Sequence, residues 1–382
     1  MTLIPTTEAE LGKAIAAAKG PLEIIGGGTR SGIGRPAQAA ETLSTAGLSG
    51  ITLYEPGALT IVAQAGTPLA EVEAALAAEN QRLPFEPMDH RRLLGTTGEP
   101  TIGGVVAGNI CGPRRLQAGA CRDSLIGVRY ADGQGTIIKN GGRVMKNVTG
   151  YDLVKLMAGS WGTLGVLSEV SFKVLPMPET TAVLLFEGLS DADAVACMSA
   201  ALRSPYEVSG AAHLPEGVDG KPVAMLRLEG FEASVAYRVE QLSRELAPFG
   251  AAEVETDPAK TAAGWAYIRD VAPFAEAEGD VWRVSVKPTD GPAAGDALRA
   301  AGATGVYYDW GGGLVWGLTP EGADVRPALV GLKGHATLIR ASVATRTAIQ
   351  PFQPEANGVA TLAKGLRAKF DPHGILNPGR MG

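Results

Sequence analysis

Ile24-Ile25-Gly26-Gly27-Gly28-Thr29-Arg30-Ser31-Gly32 is a short apolar run that breaks into a glycine turn carrying a hydroxyl and a guanidinium. Three adjacent glycines remove every Cβ, so the backbone can take φ > 0 and bring its N–H groups close to an anion. The stretch reads as a phosphate cradle or as an ordinary strand-to-loop turn, and spacing alone leaves both open. Two familiar nucleotide motifs fail here. A dinucleotide fingerprint needs glycine where Ser31 stands and a helix facing the pyrophosphate, whereas Pro36 interrupts the following segment. Gly27 and Gly32 have Walker A spacing, but Ile33 and Gly34 stand where Lys and Ser/Thr hold phosphates and magnesium. A phosphate held by this loop therefore belongs to another architecture.

The chain has 382 residues, which at about 150 residues per domain predicts two or three domains. Glycine supplies 51 of them, about twice its usual share of roughly 7%, and clusters at apparent strand ends, as loops around a ligand require. A net charge of −6 gives no support for a nucleic-acid or anionic-membrane partner. Cys111, Cys121 and Cys197 fit neither a disulfide framework nor a C-x-x-C metal pair, which points to a reducing cytoplasm. The Ala-rich residues 14–18 are too short and too weakly apolar for a signal or a membrane span.

Thr7 and Glu10 make a capping box, Leu11 and Ile15 follow at helical spacing, and Gly20-Pro21 stops the helix before a strand at residues 22–25. Two extended runs, residues 51–54 and 59–63, flank the turn Glu55-Pro56-Gly57. Thr67 is expected to cap a further helix with Pro68 at its first position. Residues 96–115 form a second glycine cluster, in which small residues let the main chain lie against a planar or anionic ligand while Thr97, Thr101 and Asn109 can bond its polar atoms. The competing reading is a helix packed closely on a neighbour. Residues 125–131 and 136–139 alternate as strands around Asp132-Gly133-Gln134-Gly135. A helix over residues 148–158 and a strand with one buried face from Val166 to Val174 follow, and Pro176 and Pro178 end the run.

Beyond Glu179 the pattern becomes strand, helix, strand, strand, helix, and then a similar set. Expected strands lie at residues 182–186, 208–213, 223–228, 281–287, 305–310, 314–318 and 337–341. Expected helices lie at residues 191–203, 232–247, 292–301 and 324–332. This predicts two βαββαβ-like halves in an α+β domain with a mainly antiparallel sheet. The domains expected are residues 1–177, residues 178–345, and a C-terminal segment, residues 346–382, that returns to the first.

Taken in order, these motifs resemble the flavoproteins of the vanillyl-alcohol-oxidase type, also called PCMH-type FAD-binding proteins. The resemblance rests on the two glycine loops, on Gly159-Ser160-Trp161-Gly162-Thr163-Leu164-Gly165-Val166, and on Asp371-Pro372-His373-Gly374-Ile375-Leu376-Asn377-Pro378-Gly379. It implies a PCMH-type FAD-binding domain of two α/β subdomains plus an α+β cap. It also implies FAD contacts at Gly26, Gly27, Gly28, Thr29, Arg30, Ser31, Thr97, Gly98, Thr101, Gly103, Gly104, Gly108, Asn109, Gly165, Val166 and Asn377. Gly112-Pro113-Arg114-Arg115, residues 144–152, Trp282-Arg283-Val284-Ser285 and Asp309-Trp310 are similar to the FAD-binding accessory subunits of bacterial glycolate oxidases. That similarity implies a hetero-oligomer with a catalytic flavoprotein and an iron–sulfur subunit, oxidising glycolate to glyoxylate. It further implies a cytoplasmic protein attached to the membrane, if at all, through the complex.

The sister enzymes that oxidise 2-hydroxy acids carry His-x-Gly-Asp-Gly-Asn-x-His, and this chain, whose histidines are His90, His213, His335 and His373, has no such motif. No metal is expected. Relatives that bind flavin covalently use a His where Thr29 and Arg30 stand, or a Cys where Glu99 stands, so FAD is expected to be non-covalent. For catalysis the sequence offers only Lys146, Tyr151 and Arg283, the last as a bidentate fork for a substrate carboxylate or as half of a structural ion pair. Ala158-Gly159-Ser160-Trp161-Gly162 imitates a nucleophile elbow, but helix precedes it and strand follows, the reverse of an elbow. The alternatives to a complex subunit are a stand-alone FAD-dependent dehydrogenase of a 2-hydroxy acid such as D-lactate, and a non-catalytic assembly subunit.

Overall fold

The computed structural model describes residues 2–142 and 150–382. The chain divides into two compact units: Met1–Cys111, Gly119–Met177 and Pro354–Gly382 in the first, Gly112–Ala118 and Pro178–Gln353 in the second.

After the short strand Thr2–Leu3 the first unit forms the helix Glu8–Ala16, capped where Thr7 Oγ1 accepts the Glu10 N–H at 3.2 Å. Its Leu11 and Ile15 are fully buried, as their helical spacing demands. They pack with Leu22, Leu43, Val166, Ile375 and Leu376 into one core. Over that core lies a parallel three-stranded sheet of Thr2–Leu3, Glu41–Ser44 and Leu22–Ile25. The unit's second sheet is antiparallel, in the order Ile51–Glu55, Thr60–Gln64, Val166–Lys173, Leu125–Ala131, Ile137–Gly141. Pro68 stands one place earlier than expected, as the residue before the helix Leu69–Ala78. The Thr67 hydroxyl bonds Gly50 and Gln64 instead of capping that helix.

The C-terminal turn is built into this unit's core. Leu22 N–H donates to the Ile375 carbonyl at 2.7 Å, and Asn377 N–H donates to the Leu22 carbonyl at 3.0 Å. Asp371 Oδ2 accepts the Leu376 N–H at 2.7 Å and so rigidifies the turn.

The second unit is a single antiparallel eight-stranded sheet. Its strand order is Glu253–Glu255, Thr180–Glu187, Val223–Gly230, Gly210–Leu214, Gly305–Asp309, Leu314–Thr319, Asp280–Val286, Gly334–Arg340. The order is mirrored about the pairing of His213 with Tyr308, which joins two halves of related topology. Each half has its own core, one under the helices Asp191–Arg203 and Glu232–Glu245, the other under Gly291–Ala300. The helix expected at residues 324–332 is a single 3-10 turn, Arg326–Leu329. Pro327 and the left-handed Gly331 leave no room for another turn. The helix Pro258–Arg269 was not expected from the sequence.

Candidate cofactor-binding site

A cleft of about 730 Å³ opens in the first unit where the strand Leu22–Ile25 ends. From the sequence candidates it gathers Gly26, Gly27, Gly28, Thr29, Arg30, Ser31, Thr101, Gly103, Gly104, Gly165 and Asn377.

The loop after the strand turns its two kinds of polar group in opposite directions. Its carbonyls are taken by protein donors: Ile25 and Gly26 by the Thr45 and Ser44 hydroxyls at 3.4 Å, Thr29 by the Thr96 hydroxyl at 3.2 Å, and Arg30 by Arg380 Nη2 at 3.0 Å. Among the described residues, no N–H of Gly27, Gly28, Thr29 or Arg30 donates to a protein acceptor. Consecutive amides without protein acceptors are the donor set of an anion nest.

The glycines differ in what requires them. A side chain on Gly26 or Gly27 would run into Thr101 Oγ1 or the Glu99 carbonyl, and one on Gly98 into the Gly27 carbonyl. The two glycine clusters are thus interlocked main chain to main chain. Gly28, at φ +74°, has no atom within 4 Å of where a Cβ would stand. Gly103 donates its N–H to the Ala65 carbonyl at 2.8 Å, and Gly104 donates to Thr101 Oγ1 at 3.2 Å. Their amides are spent inside the protein, at the start of the helix Ile102–Gly108.

Arg30 is buried beside this nest. Its Nε donates to His90 Nδ1 at 3.3 Å and its Nη2 to the Met88 carbonyl at 3.2 Å. Its Nη1 stands 3.5 Å from where a Gly104 Cβ would be. Burial, partly offset by Asp89, lowers its pKa to about 10, so the group stays charged at neutral pH. Among the described residues no carboxylate lies within ion-pair distance of it. A buried guanidinium of this kind is stabilised by an anion with oxygens to share.

The far wall is the loop Ser160-Trp161-Gly162, part of the stretch Gly159–Val166 on which the resemblance rests, although only Gly165 and Val166 of that stretch were expected as FAD contacts. Trp161 takes φ +52° and donates its N–H to the Ala107 carbonyl at 2.9 Å. Arg380 lies over its ring at 5.8 Å. Arg380, Thr45, Ala65, Ala107 and Leu167 also line the cleft. Of these Ala107 falls within the second glycine cluster and Arg380 directly after the Asn-Pro-Gly turn.

The remaining candidates stand elsewhere. Gly98 packs on Gly27, and Asn109 ends its helix at φ +48° with Oδ1 accepting the Arg122 N–H at 3.0 Å. Gly108 packs near Ile110 and Trp161, Val166 is buried in the core, and Thr97 is exposed. Lys146 lies outside the described residues. Tyr151 is 88% exposed. Arg283 lies in the second unit, 5.0 Å over the Trp310 ring, which Arg115 also approaches at 4.8 Å. Among the described residues no cluster of His, Cys, Asp and Glu has the grouping of a metal site. None of the three cysteines is in a disulfide, and burial pushes the Cys197 thiol up to about 12. Among the described residues no helix is long and apolar enough to cross a membrane.

The FAD binding domain family matches residues 1–141. Glycolate oxidase subunit GlcE of Escherichia coli is 36% identical over 367 residues, covering 95% of this chain and 93% of that protein. Glycolate oxidase subunit GlcD of Bacillus subtilis is 46% identical over 85 residues, 22% of this chain and 18% of that protein. Among solved structures, alkyldihydroxyacetonephosphate synthase superposes with a TM-score of 0.73 at 16% identity, covering 99% of this chain and 76% of the other. Substrate-bound p-cresol methylhydroxylase superposes with a TM-score of 0.72 at 14% identity, covering 100% and 88%. The fold is therefore that of the PCMH-type flavoproteins.

Proposed function

Because the chain belongs to the family of glycolate oxidase subunit GlcE, we propose that it is the FAD-binding subunit of a complex that oxidises glycolate to glyoxylate. The observation that carries this reading is the loop at residues 27–30, whose N–H groups lack protein acceptors and which ends in the buried Arg30. Those amides and Arg30 would hold the FAD pyrophosphate, with Thr101 and Gly104 beside them and Asn377 fixing the strand that presents the loop. Bound FAD would supply a two-electron acceptor. Among the described residues no His or Cys lines the cleft, which supports non-covalent binding.

In this reading residues 1–177 and 346–382 serve the flavin and residues 178–345 form the cap. The partners are a catalytic flavoprotein subunit and an iron–sulfur subunit that accepts the electrons. The site would be cytoplasmic, with any membrane attachment made through the complex. The absence of the His-x-Gly-Asp-Gly-Asn-x-His motif supports turnover in the complex rather than in the isolated chain. Anaerobic addition of glycolate tests this: the flavin of the assembled complex is expected to bleach, and that of the isolated chain to stay oxidised. Bleaching of the isolated chain would make it a self-sufficient dehydrogenase, and flavin-free complex would make it an assembly subunit.

A further inference from the structure

Arg30 and His90 stand 60 residues apart in the chain and are buried together in the first unit. The Arg30 guanidinium divides its donors. Nε and Nη2 are taken by the protein, on His90 Nδ1 at 3.3 Å and on the Met88 carbonyl at 3.2 Å, while Nη1 lies toward Gly104, beside the cleft that Arg30 lines. A guanidinium has only N–H donors and no acceptor. The Nδ1 that accepts from Arg30 must therefore present its lone pair, and the imidazole proton stands on Nε2. The Met88 carbonyl, 3.3 Å from the same Nδ1, takes its hydrogen from Arg30 Nη2 instead. His90 is thus neutral in this arrangement. The neighbouring acid, Asp89, is turned to Arg91, from whose Nε and Nη2 it accepts at 3.0 and 2.8 Å. The His90 carbonyl accepts the Leu94 N–H at 2.9 Å, which fixes the backbone that carries the ring.

We propose that His90 is the positioning residue of the cofactor site: its Nδ1 lone pair holds Arg30 in place for phosphate and, being neutral, leaves the guanidinium's charge to the ligand. The inference rests on the reading of residues 27–30 as the pyrophosphate site. A carboxylate at the same place would fix Arg30 equally well but would cancel its charge and repel the incoming anion. An imidazole and a main-chain carbonyl fix the fork from one side without either effect. His90 thereby acts on the ligand only through Arg30.

The test is a mutant cycle on the full chain, read by calorimetric titration with FAD. His90→Phe keeps a ring and loses the acceptor, and is expected to raise the FAD dissociation constant about tenfold. His90→Leu is expected to do the same, so that either variant carries the test if the other fails to fold. Added to Arg30→Met, the same changes are expected to alter the dissociation constant less than about twofold, because the residue through which His90 acts is gone. Asn and Asp both place Oδ1 as many bonds from Cα as the histidine Nδ1, and they differ in charge. His90→Asn is expected to bind FAD nearly as wild type does. His90→Asp is expected to bind it at least about tenfold more weakly while raising the melting temperature of the FAD-free chain, since the buried cation gains an ion pair. Unchanged affinity in His90→Phe and His90→Leu, or an equal loss with and without Arg30, overturns the proposal, and so does His90→Asp binding FAD as tightly as His90→Asn. A wild-type chain that binds no FAD, or Arg30→Met with wild-type affinity, is a different result: it falls on the pyrophosphate reading and takes the proposal with it.

Discussion

The side chain of Asn377 donates from Nδ2 to the Trp161 carbonyl at 2.8 Å. Its Oδ1 accepts the Ile24 N–H, also at 2.8 Å. One amide thus ties the C-terminal turn to both walls of the cleft, the strand that feeds the glycine loop and the loop that carries Trp161. Its backbone sits at φ +44°, a conformation that Asn tolerates better than most residues. Asn377→Ala is expected to destabilise the protein by about 2 to 4 kcal/mol, because two backbone groups lose their partner. Asn377→Gly relieves the backbone and still loses both bonds. If denaturant unfolding finds Asn377→Gly as stable as wild type, the φ angle rather than the bridge explains the residue.

Arg30→Met separates binding from folding. Removing a buried cation that lacks an ion pair leaves the melting temperature of the FAD-free protein unchanged or higher. The same change removes a charge-assisted contact to phosphate, so the FAD dissociation constant is expected to rise by about 10- to 100-fold. Thermal unfolding of the FAD-free protein reads the first effect and calorimetric titration with FAD the second, and an unaltered affinity would take Arg30 out of the site.

The adjacent glycines should respond differently to one methyl group. In Gly27→Ala the Cβ would meet the Glu99 carbonyl, and prising the two loops apart is expected to cost about 3 kcal/mol or more and to abolish FAD binding. In Gly28→Ala there is space for the Cβ, and the penalty is the left-handed backbone alone, about 1 kcal/mol. Thermal unfolding of the two variants side by side checks the contrast.

Asp191 predicts an acid-sensitive second unit. It accepts from His213 Nε2 at 3.1 Å, and from Tyr308 Oη and Arg299 Nη2 at 2.6 Å each. Burial pushes its carboxyl up, but those hydrogen bonds outweigh burial and hold it well below the usual carboxylate range. A depressed folded pKa means that the stabilisation is fully present above the unfolded value, near 4, and is lost as pH falls below it. Asp191→Asn is therefore expected to be less stable at neutral pH and to show a shallower loss of stability below about pH 4. Parallel unfolding curves across that range for both proteins would refute the assignment.

Much of the fold was legible because its signals are local. Leu11 and Ile15 at helical spacing behind Thr7, and the strand-helix-strand rhythm after residue 180, need no distant information. The expected helix at residues 324–332 was misread because apolar spacing outweighed Pro327 and Gly331. At the cleft, the three adjacent glycines marked the loop, but not why each is glycine. Gly26 and Gly27 answer to Thr101 and Glu99, some 70 residues away, a constraint that no spacing rule encodes. Trp161 was marked only as part of the stretch Gly159–Val166 that carries the resemblance, because its place in the cleft wall rests on a backbone turn against Ala107 and on Arg380, more than 200 residues later.

The central claim is that the loop at residues 27–30 and Arg30 hold the phosphates of a non-covalent FAD. The most direct test loads the purified chain with FAD, removes the excess by gel filtration, and measures flavin per polypeptide before and after denaturation. The account predicts stoichiometric yellow flavin on the folded wild type, all of it released on denaturation, and a deficit in Arg30→Met. Colourless wild-type protein, or flavin that stays on the denatured chain, would contradict it.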